Sequence, residues 1–223
     1  MSESRAQPAP TAAPFVPDEA DLDELRAAAR GCQGCHLFRD ATQTVFSRGV
    51  TGARVVMVGE QPGDVEDQRG EPFVGPAGVL LRRAVGDIGL DPTDLYITNA
   101  VKHFKFSMRG KRRIHQTPDR IEIMACRPWL LAEFAQLAPQ VVVALGATAG
   151  QALLGPSFRV TRSPGVPMPW PESAYRPEDY AQPGGGAQIV ATLHPSAILR
   201  ADDRETAYAG FVADLRVAAQ ALR

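Results

Sequence analysis

Four short, nearly continuous apolar runs recur along the chain, at 54–58 (RVVMV), 95–101 (LYITNAV), 140–145 (QVVVAL) and 188–193 (QIVATL). Uninterrupted runs, as opposed to an every-second-residue alternation, predict strands covered on both faces. Between them the apolar residues take helical spacing, over 77–88, 119–136 and 148–154. A helix is also predicted over 18–30, with acids early and arginines late as the helix dipole favours, ending at Gly31. A last helix over 204–222 carries Tyr208, Phe211, Val212, Leu215 and Ala219 on one stripe, which suits packing against a sheet. Strand and helix in alternation predict an α/β fold, a three-layer α/β/α domain with a central, mainly parallel four-stranded sheet. The Pro- and Gly-rich stretch 163–186 reads as a surface insertion. Residues 1–17, rich in Ala and Pro, read as a flexible tail, which leaves 18–223 as a single domain.

Composition narrows the class. A chain of 223 residues with 44% hydrophobic and 22% charged residues can bury a substantial core. No stretch approaches the roughly 18 apolar residues of a membrane span, so no membrane association is expected. The first residues lack the basic and apolar regions of a secretion signal, and the expected location is cytoplasmic. Three cysteines are too few for a disulfide framework, and Cys32-x-x-Cys35 points instead to metal or redox chemistry.

A net charge of −1 argues against a nucleic-acid partner until its distribution is considered. Within 101–127 lie Lys102, Lys105, Arg109, Lys111, Arg112, Arg113, Arg120 and Arg127, against Asp119 and Glu122 alone. Such clustering is the footprint of phosphate binding, although a solvated basic loop has the same composition.

In an open parallel sheet, ligands bind beyond the carboxyl ends of the strands. There the sequence places Gly59-Glu60-Gln61-Pro62-Gly63-Asp64, then Asn99, then Gly146-Ala147-Thr148, then His194-Pro195-Ser196. Each is weak alone; a strand-end Asn or His is more often a loop or capping residue. Four chemically loaded segments on one edge mark a site.

Taken together, GEQPG, EPFVGPAG, NAVKHFKF and HPSAILR resemble the uracil-DNA glycosylase superfamily, specifically its iron-sulfur branch, from about Cys32 to the C-terminus. Gln61 and the loop Lys111-Arg112-Arg113-Ile114-His115 are similar to the UdgX type within that branch, which crosslinks to DNA. The resemblance implies uracil-containing DNA as partner, single-stranded or with the nucleotide flipped out, and a monomeric enzyme. It implies uracil recognition by Phe73 (stacking), Asn99 (O4 and N3–H), His194 (O2) and Gln61. A donor at O2 stabilises charge that develops mainly in the transition state. Covalent capture of the sugar C1′ is implied for His115, oriented by Glu60, with Gln61 and Asp64 in the same catalytic set. On the residues alone, Phe73 suits core packing equally well, and His115 reads as one more residue of a basic loop. DNA contacts are implied for Lys111, Arg112, Arg113 and Arg200.

The branch also implies a 4Fe-4S cluster held by Cys32, Cys35, His103 and Cys126, with His103 standing where relatives usually carry a cysteine. By residue type alone, three Cys and one His favour zinc, and His36 is a further candidate ligand. Two rival functions remain open at this point: a hydrolytic glycosylase of multiple turnover, and a non-catalytic iron-sulfur binder of single-stranded DNA.

Overall fold

A computed structural model describes residues 9–170 and 186–222. The strands, in chain order, are β1 (Ser47–Arg48), β2 (Val55–Gly59), β3 (Leu95–Asn99), β4 (Phe106–Arg109), β5 (Arg112–His115), β6 (Val141–Leu145), β7 (Pro167–Pro169) and β8 (Gln188–Thr192). The α-helices are α1 (Leu22–Ala29), α2 (Asp64–Arg69), α3 (Pro76–Asp87), α4 (Arg120–Leu137), α5 (Gly146–Leu154), α6 (Pro195–Leu199) and α7 (Arg204–Gln220).

The four apolar runs are the parallel strands β3, β2, β6 and β8, side by side in that order, with Val55 opposite both Leu95 and Val141. Every residue of β2, β3 and β6 is buried, which is why these runs show no alternation. Successive side chains point to opposite faces. Val56, Val58 and Tyr96 pack under α1, α4 and α5 with Trp129, Phe134 and Leu153. Val55, Met57 and Ile97 pack under α3 and α7 with Leu81, Val85, Phe211 and Leu215. The three-layer α/β/α arrangement is therefore as expected.

The sheet has six strands, because β1 and β7 add antiparallel edges to β3 and β8. Neither carries a strand pattern; β7 is Pro-Met-Pro, and proline, lacking an N–H, is tolerated at an edge. Part of the expected surface insertion is thus sheet, followed by Trp170, whose buried ring meets Phe134 edge-on at 5.4 Å. The rest of that insertion, 171–185, lies outside the described residues.

Helix starts follow caps. Asp21 and Glu24 form a capping box, so α1 begins at Leu22 and not at 18; Asp119 and Glu122 do the same for α4. Within the segment expected as a flexible tail, Ala12 is buried, and its N–H donates to the Ala125 carbonyl at 2.7 Å. Residues 1–8 lie outside the described residues. Among the described residues no helix is long and apolar enough to cross a membrane.

The basic block is not a loop. Its centre is the antiparallel hairpin β4/β5, with Phe106 opposite His115 and Gly110 at the turn with φ 62°. Half of its eight cations are turned inward or paired. Lys102 is fully buried against Glu133 at 2.5 Å, Lys105 meets Glu122 at 2.7 Å, Arg113 meets Asp64 and Asp67, and Arg127 is buried in α4. Arg109, Lys111, Arg112 and Arg120 remain exposed.

Candidate active site

Because β2, β3, β6 and β8 are parallel, their carboxyl ends meet at one edge, and β2 stands where the chain order reverses, between β3 and β6. At that edge opens a cleft of about 500 Å³ lined by Glu60, Gln61, Phe73, Asn99, His115, Gly146, His194, Ser196 and Arg200, among others. The sequence-predicted Glu60, Phe73, Asn99, His115, His194 and Arg200 are thereby brought together.

Asn99 ends β3 at 1% exposure, and its Oδ1 is buried with no hydrogen-bond partner. Leaving such an acceptor unpaired costs about 1–3 kcal/mol, so it is set for a donor that a ligand brings. Gly59 lets this amide and the Phe73 ring close in, since a Cβ there would stand 2.3 Å from Asn99 Oδ1 and 2.6 Å from Phe73 Cζ. Phe73 itself adopts a left-handed φ of 55°, a conformation costing about 1–3 kcal/mol outside glycine, and is held there by Arg82 Nη1, which donates to its carbonyl at 2.8 Å. Gly78 of α3 makes room for that carbonyl, which would lie 1.6 Å from a Cβ. Imposed strain of this kind at a cleft wall fits an aromatic ring aimed for a ligand more than ordinary core packing.

His194 precedes α6, and its Nδ1 accepts from the Ser196 N–H at 3.1 Å. The lone pair is therefore on Nδ1, and in the neutral ring the proton is on Nε2. Burial, helped by the nearby positive groups of His115 and Arg200, lowers the pKa to about 4 against the pull of Glu60. At neutral pH the ring is an uncharged donor. Ser196 follows the proline of His194-Pro195-Ser196, and its role in fixing the tautomer is not legible in the sequence.

Glu60 follows β2 directly. Its Oε1 lies 3.2 Å from His115 Nε2, and its Oε2 accepts from Thr148 Oγ1. Burial opposes its ionisation, but the hydrogen bonds from His115 and Thr148, with the positive potential of His115 and His194, together hold the carboxyl below its ordinary value. His115, at the end of β5, remains half exposed.

Other assignments change. Gln61, expected among the catalytic and uracil-binding groups, lines the cleft but has its amide engaged by main chain. Its Nε2 donates to the carbonyls of Lys105 and Gln116 at 3.1 and 2.9 Å, and its Oε1 accepts from Lys105 N–H at 2.9 Å. It ties the feet of the hairpin to β2. Asp64 is absent from the cleft lining and pairs with Arg113 at 2.5 Å, accepting also from Gln68 at 2.9 Å. Arg113, expected on DNA, bridges Asp64 and the fully buried Asp67 and lies over the rings of Phe104 and Phe106. Lys111, Arg112 and Arg200 are exposed as a phosphate contact requires.

The cysteines form a separate locus, packed between α1 and α4 in the core face opposite α3 and α7. Cys32, Cys35 and Cys126 are buried and free. Burial pushes the Cys126 thiol up to about 12 and raises that of Cys35. Lys102 N–H points at Cys126 Sγ and Trp129 Nε1–H at Cys32 Sγ, both at 3.2 Å, the contacts a metal-bound thiolate receives. Thr44 Oγ1 donates to the Ala29 carbonyl at 2.8 Å, so at its 2.9 Å contact with His103 it accepts from Nε2–H. That leaves the lone pair of His103 on Nδ1, the state of a ligand whose other nitrogen is fixed by a neighbour. The donor types therefore suit a thiolate-held cluster, although no group of three His, Cys, Asp or Glu among the described residues is drawn together tightly enough for a single ion. His36, the other candidate, pairs with Glu122 at 3.2 Å.

The fold and site define an α/β protein with a ligand cleft at the carboxyl edge of its parallel sheet, where an aromatic ring, an unpaired amide oxygen, a neutral imidazole donor and a carboxylate meet. The chain belongs to the Uracil DNA glycosylase superfamily, whose family pattern matches residues 46–216. It is 35% identical over 180 residues to the type-4 uracil-DNA glycosylase of Thermotoga maritima, covering 80% of this chain and 83% of the relative. The type-4 enzymes of Pyrobaculum aerophilum and Archaeoglobus fulgidus are each 32% identical over 182 residues, covering 81% and 80% of this chain and 85% and 83% of theirs.

Proposed function

We propose that the protein excises uracil from DNA and is left covalently joined to the sugar through His115. Excision is supported by the family and by the type-4 relatives. Capture is supported by the contact that carries the reading, His115 against Glu60 at 3.2 Å on the rim of the base cleft, and by the resemblance to the UdgX type. The substrate nucleotide enters the cleft flipped from a duplex or from single-stranded DNA, with the protein acting as a monomer.

Uracil would stack on Phe73, give its N3–H to Asn99 Oδ1 and receive at O2 the Nε2–H of His194. The bond from C1′ to N1 breaks with its electron pair leaving on uracil, where His194 stabilises the anion. The ionised Glu60 stabilises the sugar cation. The imidazole nitrogen of His115 that does not face Glu60 gives its lone pair to C1′. The resulting imidazolium keeps its other N–H toward Glu60, which balances the charge, and that proton can pass on to the uracil anion. An N-alkylated imidazole is a poor leaving group, so the adduct persists. Cys32, Cys35, Cys126 and His103 Nδ1 would hold a 4Fe-4S cluster, which would pin the N-terminal segment and both ends of 103–126 and takes no part in the bond changes.

The test replaces the nucleophile. His115→Ser should release uracil from a labelled oligonucleotide while the denaturation-resistant protein–DNA band disappears. A band at wild-type yield would require another nucleophile, and wild-type release with no band would favour the hydrolytic reading.

A further inference from the structure

Thr148 touches a reacting-site residue, Glu60, and has no role in the reading above. It lies in the first turn of α5, 6% exposed, and its Oγ1 donates to Glu60 Oε2. Glu60 thus divides its oxygens, with Oε2 on Thr148 and Oε1 facing His115. The Glu60 main chain is fixed independently, its carbonyl accepting from Val101 N–H at 3.0 Å beyond β3. What remains free in Glu60 is the rotation of its side chain, and Thr148 is the group placed to stop it. The same turn of α5 begins at Gly146, where φ is 91° and a Cβ would stand 2.8 Å from that of His194. One turn of helix therefore serves both the carboxylate and the imidazole of the cleft.

We propose that Thr148 is a positioning residue that fixes the Glu60 carboxylate in the orientation in which it meets His115 and the sugar cation. The inference rests on the excision-and-capture reading and extends it to a residue that touches neither DNA nor the sugar. A carboxylate held by only one partner turns toward solvent through the open cleft, and it also loses a donor that favours its ionised form. The charged and titratable groups acting on Glu60 are His115 from β5 and His194 from the end of β8, with Thr148 as the neutral donor from α5. Removing Thr148 therefore leaves His115, 3.2 Å from Oε1, to hold the carboxylate at neutral pH, where His194 is uncharged.

The experiment compares Thr148→Val, which keeps the shape and removes the hydroxyl, with Thr148→Ser, which keeps the hydroxyl. Uracil release and adduct formation are measured separately in single-turnover reactions on a uracil-containing oligonucleotide across pH 4 to 8. For Thr148→Val both rates should fall about tenfold or more at neutral pH, the worth of one hydrogen bond to a charged acceptor. The acid limb of the profile should move to higher pH, because Glu60 protonates more readily. Thr148→Ser should restore the wild-type limb and most of the rate. Should the valine variant not fold, Thr148→Ala gives the same readouts. An unshifted limb in Thr148→Val, or a serine variant as impaired as the valine one, would overturn the inference, the latter by showing that Thr148 matters only through packing. If the wild type released uracil and made no adduct, the capture reading would fail by itself, and the acid limb of uracil release would still decide the role of Thr148.

Discussion

A methyl group at position 59 would stand 2.3 Å from Asn99 Oδ1 and 2.6 Å from Phe73 Cζ, distances that no packed carbon tolerates, so one of those side chains would have to move into the cleft. Gly59 is thus part of the proposed base site although it offers nothing but space. Gly59→Ala is expected to cut uracil excision by about 100-fold, more than the modest loss of stability in a buried strand would explain. Oligonucleotide excision measured beside a thermal melt checks this; full activity in a folded Gly59→Ala protein would place the base pocket elsewhere. The support beneath Asn99 is equally particular. Lys102 Nζ donates to the Asn99 carbonyl at 3.1 Å while pairing with Glu133, whose Oε1 accepts from Tyr96 and Thr98 at 2.9 and 2.8 Å. Every charge in that buried set is paired and hydrogen-bonded, the condition under which a buried ion pair is tolerated.

In the proposed reaction, the element that joins base recognition to capture is the hairpin β4/β5, and its placement is a matter of its underside. Gln61 clamps its feet and Arg113 bolts its returning strand to Asp64 and Asp67 of α2. Removing Arg113 leaves Asp67, at 0% exposure, without its cation. Arg113→Met should therefore destabilise the protein by about 3 kcal/mol, or about 6 to 12 °C in a chain of this size. It should also lower adduct yield more than uracil release, because His115 loses its register while the base pocket does not. Adding Asp67→Asn should recover part of the stability, since no charge is then left buried alone; a single variant melting like wild type would show that the fork does not hold the hairpin. None of this was legible in the sequence, where 101–127 reads as a charge block, because the partners of Arg113 lie 46 and 49 residues away. The parallel strands were legible because burial on both faces leaves continuous apolar runs, and with them came Glu60, Asn99 and His194, each directly beyond a strand. Edge strands β1 and β7 were not, being two and three residues long and free of pattern. His115 has a role in the sequence only through resemblance, and Thr148 lies beyond the third strand with no role legible there.

Across the whole molecule, a net charge of −1 means that attraction to DNA has to come from a local surface, and the fold decides how much of the basic block reaches it. Eight cations in 101–127 would by themselves suggest as many phosphate contacts. Four of those are buried or engaged by carboxylates, which leaves Arg109, Lys111 and Arg112 at the hairpin tip and Arg120 at the start of α4, with Arg200 at the cleft. Each phosphate neutralised on a single strand contributes about −0.7 to the slope of log affinity against log salt. Four or five contacts give a slope of about −3, where eight would give about −6. Binding of the His115→Ser protein to a single strand without uracil, measured by fluorescence anisotropy from 50 to 300 mM salt, separates the two values without interference from excision or the adduct. Changing Lys111 and Arg112 together to Ala should flatten the slope by about 1.4, whereas Lys102→Met, if it folds, should leave the slope unchanged, because that charge is sealed against Glu133. A slope near −5 would mean that the pairs of Lys105 and Arg113 open when DNA binds, and that the hairpin seen here is remodelled on its substrate.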